Sequence, residues 1–370
     1  MSKENTINFF INLSTLSVFT FIPLWAVQIG LNDEEIAIAA ALYAFVAFSS
    51  GIIIGRLSDI FGTRKIFILF GLFIGIVTMI GLLIPNFYSF MLFRTIGGLS
   101  AGLLAPTLVA LVSDKGKQIG SFSSFGALGW AVGVLVSGVL GLFWLESIFI
   151  FGMFALIGAL VVAVKVEDVY SENPQNLTDE SVIKVFWGRK SAYLSMGIRH
   201  SFANAIWVYW SLFLLDLGAN TFWIAIIQFM NAFTQFIIMQ KYTDKLQSES
   251  MIILGLSLSA LSFWLFTLPT DFWGIIPTQI VLGLSWAFLY VGTLRYSVEK
   301  SDHDKSTSSG ILTSTQAISG IFGPIIALIL ISFGGTYTDI MLVATLATVI
   351  TFIGFLIFKN SNNSRKMALN

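Results

Sequence analysis

Residues 55–65, GRLSDIFGTRK, gather Arg56, Asp59, Arg64 and Lys65 into one short stretch of a 370-residue chain that is only 11% charged. An apolar core has no use for such a cluster. Gly55 and Gly62 permit close approach and a tight reversal, and Asp59 can accept backbone donors or pair with Arg56 or Arg64. The stretch reads as a charged hairpin between two apolar segments.

Working outward from it, the chain is 56% hydrophobic and contains 35 Phe. With a mean hydropathy of +0.86, it has more apolar surface than one soluble core can hide. About 20 helical residues cross a hydrocarbon layer about 30 Å thick, and apolar runs of that size recur. The first six spans are expected near 7–29, 35–55, 66–84, 88–112, 120–143 and 146–165. Six more fall near 191–216, 220–240, 251–268, 272–296, 308–333 and 337–358. The expected fold is an all-α membrane protein of twelve transmembrane helices. The start, MSKENTINFF, has no small-residue cleavage pattern and reads as a retained first span.

The connections alternate in charge. The even-numbered ones, including SDIFGTRK, SDKGKQ, KYTDKLQSE and EKSDHDK, all carry Lys or Arg. The odd-numbered ones, GLNDEE, PNF, WLE, DLGAN, PTD and GGTYTD, carry none. These two sets define a basic end and an acidic end of the bundle. The positive-inside rule puts the basic end, with both termini, in the cytoplasm.

The one long polar interval falls at the midpoint, giving an expected division into 1–165, a linker 166–190 and 191–370. Within the linker, VIKVFWGRK suits a short interfacial helix. Displacing the sequence by 185 residues aligns IIIGRLSD ending at Asp59 with IIMQKYTD ending at Asp244. The same displacement aligns GLS at 98–100 with GLS at 283–285, SFSS at 121 with STSS at 306, and Trp25 with Trp210. A single offset without gaps points to two pseudo-symmetric six-helix bundles.

The opening stretch resembles motif A of the major facilitator superfamily (MFS), with Gly55, Leu57, Asp59, Gly62 and Arg64 on its positions and Ile60 and Thr63 departing from it. RTIGGLSAG resembles motif B, with Arg94 and Gly98 as its arginine and glycine. GALGWAVGVLVSG has the glycine spacing of motif C but lacks the proline after Gly129. The resemblance implies a transporter in which motif A latches helix ends, with Asp59 and Arg64 as the expected pair.

All twenty Asp and Glu fall in loops or at span ends, whereas Arg94 and Arg199 lie within spans. A buried cation there costs roughly 2.5–3.5 kcal/mol or more unless satisfied. Arg94 is expected either to bond carbonyls of span one or to meet substrate. Arg199 is expected either to face a cavity or to snorkel to the interface. His200, Asn204, Trp207 and Ser211 form one helical stripe, and Gln228, Asn231 and Gln235 form a second. Asn8, Asn12 and Thr15 form a third, while Gln279 and Trp286 share a face of span ten. Together with Trp130, these residues are the candidate lining of a central substrate cavity. Spans three, six, nine and twelve have no Asn, Gln, His or charge in their interiors, as peripheral helices require.

These features suggest a secondary transporter of a small organic solute at the cytoplasmic membrane, working by alternating access. Export is slightly favoured over uptake or uniport, and an organic anion is among the candidate substrates. The expected partners are membrane lipid and a coupling proton or other ion, the expected state is a functional monomer, and no cofactor or nucleic acid is expected. The chain has no cysteine and only His200 and His303 as imidazoles, which leaves little for a metal site. An integral-membrane enzyme would need convergent catalytic groups at one face, and no such set is recognisable. A receptor or scaffold retaining the fold is the remaining alternative.

Overall fold

The computed structural model describes residues 1–117, 119–168, 182–299 and 305–367. Its described residues form thirteen α-helices and no strand. The first six are α1 (Lys3–Gln28), α2 (Asp33–Phe61), α3 (Lys65–Leu82), α4 (Phe87–Asp114), α5 (Ile119–Leu140) and α6 (Ser147–Val164). A short α7 (Val182–Gly188) occupies the expected position in the linker. Then follow α8 (Lys190–Asp216), α9 (Thr221–Lys241), α10 (Ser248–Leu265), α11 (Ile275–Glu299), α12 (Lys305–Ser332) and α13 (Tyr337–Met367).

Eleven of these helices are long and apolar enough to cross a membrane. The twelfth long helix, α8, has 27 residues but carries too much polarity to reach that apolarity, and 16 of the 27 are buried in the protein. Neighbouring helices, rather than lipid, surround most of it.

Local chemistry sets the ends. Asn32 and Glu35 cap α2 reciprocally, each side chain accepting from the other's backbone N–H at 2.9 Å. At the other end α2 runs on to Phe61, beyond the expected limit near 55, because Leu57, Ile60 and Phe61 continue its apolar content. Gly62, at φ +63°, then stops it. The reversal in GRLSDIFGTRK is thereby compressed into residues 62–64.

The two sets of six helices pack in the same way. In the first, α1 packs on α5 and α6, α4 packs on α2 and α3, and α3 packs on α6. In the second, α8 packs on α12 and α13, α11 packs on α9 and α10, and α10 packs on α13. The matched GLS segments repeat their contacts as well. Ser100 donates to the Gly71 carbonyl at 2.8 Å and Ser285 to the Gly255 carbonyl at 3.1 Å. A side-chain carbon at Gly98 would lie 2.3 Å from the Tyr43 carbonyl oxygen, and one at Gly283 would lie 2.7 Å from that of Asn231. Only glycine lets the two backbones approach so closely.

The halves meet along two seams, α5 with α9 and α2 with α12. The extensive contacts of α3, α6, α10 and α13 stay within their own half, apart from Tyr337 at the start of α13. This matches the peripheral role expected of the four spans without Asn, Gln, His or charge in their interiors.

Candidate functional site

Motif A forms the basic end of the first half. Arg64 starts α3 without a side-chain cap of its own. Instead Asp168, from the chain beyond α6, accepts from the Arg64 and Lys65 backbone N–H groups at 3.0 and 3.2 Å and from the Thr63 hydroxyl. The Arg64 guanidinium donates to Asp114 of α4 at 3.1 Å and to Ser58 at 2.8 Å. The side chains of the expected partner Asp59 and of the corresponding Asp244 lie outside the described residues. Beside this knot, Glu4 is only 2% exposed. It binds Lys115 at 2.8 Å and also Lys117, while Lys3 and Lys65 donate to the carbonyls of Lys165 and Val164 at 2.7 Å.

At the acidic end, the Tyr209 hydroxyl donates to the Asp33 carbonyl at 2.7 Å, and Tyr337 donates to its carboxylate at 3.1 Å. Ser332 reaches Glu34 at 3.5 Å. These bonds tie the start of α2 to three helices of the other half. On the second seam, Gln240 donates to Ser124 at 3.2 Å and Thr221 to the Gly138 carbonyl at 3.2 Å, at opposite ends of α5 and α9.

Between the ends, a cavity of about 110 Å³ draws its walls from α1, α2, α4, α8 and α12. Arg94, Asn204 and Trp207, all anticipated from the sequence, line it together with Phe19, Pro23, Tyr43 and Pro324. Arg94 is 8% exposed, and its Nε has no hydrogen-bond partner among the described residues. The expected bonds to span-one carbonyls are not made among the described residues. The guanidinium lies 4.2 Å from the Tyr43 ring centre and 5.6 Å from that of Phe19. Pro23 and Pro324 each remove the helical donor for the carbonyl four residues back, those of Phe19 and Gly320, and both residues line the same cavity. It therefore offers one cation and backbone acceptors within aromatic and aliphatic walls.

Other candidates sit elsewhere. Arg199, 2% exposed, turns inside the second half, donating to Ser259 at 2.7 Å and to Ser285 at 3.4 Å and lying over Phe263 and Trp286. It neither snorkels to the interface nor lines the cavity. His200 stacks on Trp286 at 4.8 Å, and Trp286 stacks on Tyr290 at 5.5 Å. Gln235 donates to Asn231 at 2.8 Å within α9, whereas Gln228 Oε1 and the whole Gln279 amide are buried without partners among the described residues. Asn12 donates to Asn8 at 2.8 Å, and Asn8 to the Phe122 carbonyl of α5 at 2.8 Å, so this pair joins helices. Trp130 packs against the core with its Nε1 unpartnered. Asp114, Asp168, Tyr43 and the Tyr209–Tyr337 pair were not anticipated, since each acquires its role from a distant segment.

Paired helical halves around a shared cavity, with one arginine among mainly apolar walls, are the architecture of a polytopic membrane transporter. The family model described as Major Facilitator Superfamily matches residues 6–249. The chain belongs to that superfamily. It is 23% identical over 325 residues to an uncharacterized MFS-type transporter of Methanocaldococcus jannaschii, covering 82% of this chain and 83% of that one. It is 24% identical to the tetracycline resistance protein, class H, of Pasteurella multocida, covering 81% and 80% of the two chains. Among solved structures, the nucleoside transporter NupG superposes with a TM-score of 0.72 at 12% identity, covering 96% of this chain and 98% of that one.

Proposed function

We propose that the protein is a secondary active transporter that exports a small organic solute across the cytoplasmic membrane. Residues 1–165 and 191–370 rock about the central cavity, with the basic end and both termini in the cytoplasm. The observation that carries this reading is the cavity itself, since Arg94 and Tyr43 enter it from one half and Asn204 and Trp207 from the other. A ligand held there is held by both halves, so their relative motion changes its access. Export draws on the relatives. Beyond the tetracycline resistance protein, the multi-drug resistance efflux pump PmrA of Streptococcus pneumoniae is 28% identical over 203 residues.

Uptake by symport, or uniport, is the second reading, and uniport has its own support. It draws on the acids, which sit in loops and at helix ends and leave no mid-span carboxylate among the described residues to carry a proton. Flux assays in proteoliposomes of known orientation, with and without an imposed proton gradient, separate the two. Gradient-dependent movement from the basic to the acidic side supports export, and gradient-independent equilibration supports uniport. No flux of any organic solute would overturn both.

A further inference from the structure

The structure also bears on what the cavity accepts. We propose that it binds an amphipathic organic anion, with a carboxylate or phosphate on Arg94 and an apolar body against Trp207 and Pro324. This rests on the reading of the cavity as the transport site.

The argument begins with charge. An arginine side chain keeps its proton in proteins, and at this depth it costs roughly 2.5–3.5 kcal/mol or more unless compensated. The other buried charges with described partners are compensated by the protein. Arg64 has Asp114, Glu4 has two lysines, and Arg199 has two serine hydroxyls. Arg94 has no hydrogen-bond or ion-pair partner among the described residues, only the faces of Tyr43 and Phe19. Such contacts are worth about 0.5–2 kcal/mol each, and neither supplies an opposite charge or accepts a hydrogen bond in the guanidinium plane. Arg94 is nine-tenths buried and opens on the cavity. A guanidinium in this setting selects a planar or tetrahedral oxyanion, which it can hold through two parallel hydrogen bonds.

The other walls set the rest of the ligand. Ile22, Ile36, Ala40 and Val208 are aliphatic, and Trp207 presents an aromatic surface. Pro324 also lines a second hollow between α2 and α12, walled by Ala41, Leu42, Phe45 and Ile325. Apolar surface thus continues from the Arg94 cavity toward the flank of the molecule. A cation would meet an uncompensated like charge, and a polyol would leave the guanidinium without an opposite charge.

The test uses the full chain in lipid nanodiscs and three probes built on one ring, benzoate, benzamide and benzylammonium. Binding is read by thermal shift and by tryptophan fluorescence, with Trp207→Phe identifying the reporting ring. Benzoate is expected to bind at least about tenfold more tightly than either other probe, about 1.4 kcal/mol. Arg94→Gln should abolish the preference, and Arg94→Lys should retain its sign. Equal affinities, preference for benzylammonium or no benzoate binding at millimolar concentration would overturn the proposal in the wild-type chain, whatever the folding of the variants. So would an anion preference that survives in Arg94→Gln. A chain that binds benzoate selectively yet moves no solute in proteoliposomes would overturn the transport reading and leave the anion site standing.

Discussion

Tyr337 donates its hydroxyl to the Asp33 carboxylate at 3.1 Å, joining the first residue of α13 to the first residue of α2. The ring of Tyr337 stacks on that of Tyr209 at 5.2 Å, and Tyr209 holds the carbonyl of the same aspartate. Two tyrosines of one half therefore grip one residue of the other and hold the acidic end shut. A hydrogen bond to a charged group contributes about 1.5–3 kcal/mol, enough to shift a two-state ratio tenfold or more. Tyr337→Phe and Asp33→Asn should populate a form open at the acidic end. Because the natural chain has no cysteine, spin labels at Leu142→Cys and Leu268→Cys can report the separation of the halves directly. An unchanged distance distribution in both variants would show that the grip does not govern opening.

The seam of α2 and α4 depends on a missing side chain. In Gly98→Ala the added carbon meets the Tyr43 carbonyl at 2.3 Å and Val46 at 3.1 Å. Overpacking of this kind costs about 1–3 kcal/mol, and rigid backbone leaves little room for relief. Gly98→Ala should lower the melting midpoint of the solubilised protein, whereas Gly354→Ala, with nothing within 4 Å, should not. Equal midpoints for the two variants would refute the close-packing account.

Glu4 presents a different dependence, on charge. Replacing it by Gln leaves Lys115 and Lys117 facing a neutral amide in a site where Glu4 is almost fully covered. The loss should be about 1–3 kcal/mol, since the lysines can turn partly to water. A thermal melt of Glu4→Gln beside Lys117→Ala should show the larger drop in the former. Reversal of that order would locate the stabilisation in the lysine stems instead of the carboxylate.

The motif A knot yields a kinetic prediction. Arg64→Ala removes the bonds to Ser58 and Asp114, and Asp168→Ala uncaps α3, a loss of about 1 kcal/mol. Both variants, and Asp59→Asn, should insert normally but slow transport, because each loosens the end that must reseal in every cycle. Flux equal to wild type with Asp59→Asn and Arg64→Ala combined would remove the latch from the mechanism.

The helical layout was legible because lipid is a severe solvent. Every span must be internally hydrogen-bonded, and every lipid-facing surface apolar, so hydropathy and loop charge predict both the number and the alternation of helices. Arg94 and Asn204 were legible because charged and amide side chains are rare inside spans and seldom idle, whereas Gly98 was marked by its motif and Trp207 by its place on the Asn204 stripe. Helical periodicity, however, assigns a face and not a neighbour. His200 and Asn204 share a stripe, yet His200 stacks on Trp286 within its own half while Asn204 reaches the cavity. Arg199 could not be placed from sequence because its partners Ser259 and Ser285 lie two and three helices further along the chain. Asp114 ends a helix and Asp168 lies in a connection, places where acids are ordinary, and only tertiary folding brings them to Arg64.

The polarity of α8 has a consequence for how the protein is made. Eleven of the described helices are long and apolar enough to cross a membrane, whereas α8, with Arg199 in its interior, falls short of them in apolarity. Its entry must therefore be coupled to contact with partners that cover it, chiefly α12 and α13, both synthesised later. During biogenesis α8 would dwell at the insertion machinery until the C-terminal helices arrive, so truncation before α12 should strand it outside the lipid.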